Sequence, residues 1–141
     1  MKQLVTYFAA LAAFVIADMA WLGTMASRFY RPTLSNILLT SVNLPPALAF
    51  YALYPIGLVL FAVNPALKTN SLAAALIYGC LFGFFTYSTY DLSNYATLRN
   101  WSLALTVVDI VWGTILAGFA AWPSRAATIA SNHGSCLTSP L

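Results

Sequence analysis

Residues 71–90 read SLAAALIYGCLFGFFTYSTY, a stretch without a single charge. A helix rises about 1.5 Å per residue and the hydrocarbon layer of a bilayer is about 30 Å thick, so a run of this length predicts a membrane-spanning helix. Three further runs repeat the signal on either side of it. Residues 4–26 are interrupted only by Asp18, and residues 102–122 only by Asp109. Residues 47–63 are shorter, but Pro45-Pro46 precede them and Asn64-Pro65 follow. Pro123 predicts a clean stop for the last run, because a proline inside a helix removes a hydrogen bond and clashes with the preceding turn.

The expected architecture is all-α: a polytopic four-helix transmembrane bundle forming a single domain over 1–123, with residues 124–141 as a disordered polar tail. Composition agrees. Charged residues make up 6% of the chain and hydrophobic ones 61%, against about 25% and 45–50% in an ordinary soluble domain. A soluble protein this apolar would carry large exposed greasy patches, so lipid is the expected partner of its outer surface.

Two short segments need separate readings. The first run could serve as a signal peptide, with Lys2 before it and Val15-x-Ala17 as a cleavage site. Its apolar stretch runs on past Asp18, well beyond an h-region of about 7–15 residues, and this favours a span. Residues 33–44 (TLSNILLTSVNL) are too short to cross, and predict an interfacial or re-entrant helix between spans one and two, capped near Thr33 or Ser35.

The net charge of +3 is not a nucleic-acid signal. Lys2, Arg28, Arg31, Lys68, Arg99 and Arg125 stand singly, each at the end of an apolar run. That is where cationic heads reach the lipid headgroups, whereas phosphate binding needs clustering on one face. Cys80 and Cys136 form no disulfide framework, and His133 is the lone histidine, so neither a metal site nor a cofactor is expected. Ala9, Ala13 and Ala17, then Ala75, Gly79 and Gly83, then Gly113 and Ala117, recur at four-residue spacing. Lipid supplies no hydrophobic drive between helices, so such ridges are read as packing surfaces rather than a dimer interface. Pro55 should kink span two.

The three acidic residues of the chain are Asp18, Asp91 and Asp109. Spans alternate in direction. Asp18 lies about 4–5 Å past the middle of span one, and Asp109 about 4–5 Å before the middle of span four. Those positions, and Asp91 at the end of span three, share one half of the membrane, with Arg28, Arg31 and Arg99 on the same side. Asp18-x-x-Trp21 and Asp109-x-x-Trp112 place each Asp one turn from a Trp. If the third helix persists past Asp91, Tyr87, Asp91 and Asn94 form one polar edge beside Tyr90, with Arg99 folding back toward it.

Asp18, Trp21, Leu22 and Gly23 with Phe29-Tyr30, then Tyr54 and Gly57, then Tyr90-Asp91-Leu92-Ser93-Asn94 with Ala96-Thr97-Leu98 and Trp101, and finally Asp109 with Trp112-Gly113-Thr114, resemble a family of small bacterial inner-membrane proteins called domain of unknown function 2177. The resemblance spans residues 1–122. It implies a four-helix inner-membrane protein and no particular activity. Charge on the two sides is nearly balanced; cytoplasmic termini are the expected orientation.

Three readings of the acids remain open. They brace the bundle; they form a site for a small polar group, a proton or a lipid headgroup; or they serve an enzyme acting on membrane lipid, or its auxiliary subunit. Interhelical hydrogen bonds average only about 0.6 kcal/mol, so three buried Asp are a costly way to hold helices together. A second membrane protein or another copy of the chain is an open alternative as partner.

Overall fold

The computed structural model describes residues 2–35, 37–69 and 71–137, with side chains as far as Ser131. Among these residues four helices are long and apolar enough to cross a membrane: α1 (Lys2–Thr33), α2 (Leu44–Lys68), α3 (Leu72–Thr97) and α4 (Leu103–Leu137). Their ends are set by local chemistry. The Ala74 amide donates to the Ser71 hydroxyl at 3.3 Å, and the Leu105 amide to the Ser102 hydroxyl at 3.1 Å, each satisfying one orphan donor of a first turn. Pro45 and Pro46 fall in the first turn of α2, where a missing N–H costs nothing. Asn100 turns the chain from α3 to α4 with φ at 65°, a conformation asparagine tolerates better than most side chains.

α4 is the centre of the bundle and packs along both α3 and α1. The α3–α4 seam is built of small residues. A Cβ added at Gly83 would stand 2.2 Å from the Gly113 carbonyl oxygen, and one at Gly79 would stand 2.7 Å from that of Ala117. Backbones therefore touch, as small-xxx-small ridges allow. On α1 the buried stripe is Thr6, Ala10, Phe14 and Asp18. Ala9, Ala13 and Ala17 lie one residue off it, at the flank, because Phe14 and not a small side chain fills the centre against Tyr51 and Tyr54. The outer faces carry Leu4, Phe8, Ile16, Leu60, Phe85, Val111 and Phe119 exposed, as lipid contact requires.

Several boundaries differ from the sequence expectations. Among the described residues between α1 and α2, 34–35 and 37–43 hold turns and bends where a short helix was expected, with the Ile37 and Leu38 amides both donating to the Leu34 carbonyl. The spanning helix itself takes Thr33, one of the two expected caps. α2 runs on past Asn64-Pro65, and α3 continues beyond Asp91 to Thr97. Pro55 is accommodated within a continuous helix.

α1 and α2 each contain a wide π-type turn, at Ala26–Tyr30 and Val59–Val63. A proline follows each, Pro32 and Pro65, and the residue four before it, Arg28 or Phe61, lies inside the wide turn. That is the carbonyl with which a helical proline clashes and which loses its donor, so the widened turn relieves both problems.

The expected stop at Pro123 is corrected too. α4 passes through it to Leu137, so residues 124–137 are helical where a disordered tail was expected. Packing overrides the proline. The Ser124 hydroxyl donates to the Thr6 carbonyl at 2.8 Å, and the Thr6 and Thr128 hydroxyls lie 2.6 Å apart. The Arg125 Nε donates to the Ala66 carbonyl at 3.4 Å. All three α4 side chains are buried. Thr128→Val keeps the shape and removes the hydroxyl; it should cost about 1 kcal/mol in reversible unfolding from detergent micelles. A variant as stable as the parent would show that the hydroxyl pair holds nothing. The expectations for His133 and Cys136 lie outside the described side chains, and the tail expectation for 138–141 outside the described residues.

Candidate functional site: an acidic cavity with aromatic walls

Asp18 is at the mid-to-outer part of α1 and 7% exposed, and Asp109 is part-buried on α4. The antiparallel course of the two helices brings both to the same end of the bundle, and they line one cavity of about 630 Å³. Each carboxylate is held by a tyrosine from another part of the chain. The Tyr51 hydroxyl of α2 donates to Asp18 Oδ2 at 2.5 Å. The Tyr30 hydroxyl, at the end of the first wide turn, donates to Asp109 Oδ1 and accepts from Trp21 Nε1 at 3.0 Å. Trp21 and Trp112, the two residues that follow an Asp by three, stack face to face with ring centres 4.2 Å apart and planes 7° from parallel.

The rest of the wall comes from Met19 and Leu22 of α1, Val42 of the connection, Leu44, Ala47, Leu48 and Phe50 of α2, and Tyr87 of α3. Among the described residues no Lys, Arg or His lines it. Each carboxylate offers about four acceptor positions, so one tyrosine bond leaves most of that capacity open. Trp112 Nε1 is buried and has no hydrogen-bond partner among the described residues. The arrangement can accept hydrogen bonds, attract positive charge and present ring faces. Among the described residues no three His, Cys, Asp or Glu side chains gather into a group able to hold a metal.

Of the residues singled out in the sequence, Asp18, Trp21, Tyr87, Asp109 and Trp112 meet in this cavity. Tyr90, Asp91, Asn94 and Arg99 do not line it. Asp91 is fully buried, and neither of its oxygens has a hydrogen-bond partner among the described residues. Ser88 Oγ and Trp101 Nε1 are in the same condition. The Arg99 side chain is exposed beyond the end of α3 and does not fold back onto Asp91, because Leu98 has already turned extended. Asn94 is part-buried, its carbonyl accepting from the Leu98 amide at the helix end. Tyr90 is largely exposed and packs edge-on against Trp101. The residues missed were Tyr30 and Tyr51. Both were visible as aromatics near span ends, but their hydroxyls' aim depends on helix azimuth.

The family model described as "Predicted membrane protein (DUF2177)" matches residues 3–126. No curated protein and no solved structure matches the chain.

Proposed function

Since the chain belongs to the DUF2177 family of predicted membrane proteins, we propose that it binds a positively charged group, an alkylammonium head or its equivalent, in the cavity between Asp18 and Asp109. The observation that carries this reading is two tyrosine-held carboxylates on one cavity wall with no basic side chain beside them among the described residues. Two acids at this depth are costly unless a partner offsets them, and a bound cation is the complement they lack. Aromatic walls add to the fit, since ring faces attract cations within about 6 Å. In the same reading the protein resides in the inner membrane with both termini in the cytoplasm.

Tetramethylammonium is a suitable probe, added to the protein in maltoside micelles and followed by tryptophan emission. The double variant Asp18→Asn/Asp109→Asn should bind it at least about tenfold more weakly, a loss of about 1.4 kcal/mol. Equal affinity in parent and variant would sink the reading. A second reading is favoured by the same hydrogen bonds: Tyr51–Asp18 ties α1 to α2, and Tyr30–Asp109 ties α1 to α4, so the pairs could serve only to brace the bundle. Under that reading the double variant loses stability and the parent shows no saturable response to the probe.

A further inference from the structure

A second hollow of about 570 Å³ lies between α2 and α3, lined by Pro46, Phe50, Tyr54, Thr86, Tyr87 and Tyr90. Pro46, Phe50 and Tyr54 follow each other at four-residue spacing and so form one stripe of α2. The groove therefore runs along the helices, from the end of the bundle where α2 begins toward mid-depth. Its deep end is closed where the Tyr54 and Thr86 hydroxyls lie 3.3 Å apart, with the Phe82 ring packed against Tyr54. Thr86 also donates within its own helix, to the Phe82 carbonyl at 2.8 Å. The hydroxyls at the groove's deep end are thus occupied with each other and with backbone, and what that end offers a guest is apolar.

Two features distinguish this groove from an ordinary dent in a lipid-facing surface. Phe50 and Tyr87 line both it and the acidic cavity, so only two aromatic rings divide them. Its rim is open to the bilayer, for Phe50 is 41% and Tyr90 59% exposed. A site for a water-borne cation needs no apolar annex on its membrane side. An amphiphile needs both compartments, a polar one for the head and an apolar one for the chain.

Resting on the reading of the cavity as a cation site, we infer that the ligand is a cationic amphiphile, and that its hydrocarbon chain lies in the α2–α3 groove. The head passes sideways from the lipid between Phe50 and Tyr87 and settles between Asp18 and Asp109. The chain stays behind in the groove, beside Pro46 and Tyr90. The bilayer supplies such molecules already oriented, with the chain parallel to the helices. Affinity then contains a chain contribution from packing against the groove's rings, because lipid tails are as apolar as the groove and burial there adds no hydrophobic drive of its own.

The test is a series of alkyltrimethylammonium ions from tetramethyl to dodecyltrimethyl, titrated against the parent and two groove-filling variants, Thr86→Phe and Pro46→Phe, in maltoside micelles. Pro46 is exposed in the first turn of α2, so its replacement leaves the core untouched. Micelle partitioning affects all three proteins alike and cancels in the comparison. The parent should gain affinity with chain length. Either filled groove should flatten that gain, weakening the dodecyl compound at least about tenfold through the lost packing of its chain, while tetramethylammonium binds as before. The same chain-length dependence in parent and both variants would overturn the groove assignment and leave the cation site standing. Tetramethylammonium binding that ignores Asp18→Asn/Asp109→Asn would instead remove the cation site on which the assignment rests.

Discussion

Gly83→Ala is expected to destabilise the bundle by about 3 kcal/mol, the upper part of the range for overpacking a closed interface. The single added methyl would fall 2.2 Å from the Gly113 carbonyl oxygen and 2.7 Å from the Ala117 Cβ. Neither obstacle is a flexible side-chain tip, so the two helices must separate to admit it. The loss exceeds several average interhelical hydrogen bonds, at about 0.6 kcal/mol each. Reversible unfolding in mixed micelles measures it, with Gly23→Ala as the control. A Cβ at Gly23 meets nothing within 4 Å, and that variant should stay within about 0.5 kcal/mol of the parent. Equal stability of the two alanine variants would mean that α3 and α4 do not meet backbone to backbone.

Tyr30→Phe should cost about 2 kcal/mol, the next largest effect. One hydroxyl serves two partners, donating to Asp109 and accepting from Trp21 Nε1. Removing it orphans a carboxylate oxygen and an indole N–H together, and bonds to charged groups are worth about 1.5–3 kcal/mol where neutral ones are worth about 1. The contrast is Tyr7→Phe, which loses one interhelical bond to the Ala52 carbonyl on the lipid-facing surface and should cost about 0.6 kcal/mol. A double-mutant cycle with Asp109→Asn checks the assignment. If the tyrosine acts through Asp109, the two losses are strongly non-additive; simple additivity would separate them.

The uncharged run at 71–90 and its three companions were enough to read the number of spans, because hydrocarbon thickness imposes a length that few other structures need. Counting residues along alternating helices grouped Asp18, Asp91 and Asp109 at one depth, and could not say that Asp18 and Asp109 would line one cavity without Asp91. Azimuth was not legible. On a regular helix Tyr30, nine residues past Trp21, falls about 180° away from it at about 100° per residue. The wide turn at Ala26–Tyr30 absorbs about one residue and swings Tyr30 back until its hydroxyl meets the Trp21 indole. Pro32 was the available clue, but a proline announces disruption without saying whether the helix will stop, bend or widen. Pro123 shows the same ambiguity from the other side. There the decision rests on Ser124, Arg125 and Thr128 finding partners on α1 and α2, contacts that no local pattern encodes.

The difference between a seam of backbone and a seam of rings has a mechanical consequence. α3 and α4 touch where there are no torsions left to turn, so they can move only as one rigid body. α2 meets α3 through Phe82, Tyr54 and Tyr87, and even at Gly57 an added Cβ would strike a ring edge rather than a main chain. Rings hop between staggered wells and restack at small cost. The compliance of the protein therefore lies in its ring-lined seams, and the helix that carries Tyr51 and Phe50 is bounded by them. A displacement of α2 against the α3–α4 body moves the cavity wall that Leu44, Ala47, Leu48, Phe50 and Tyr51 form.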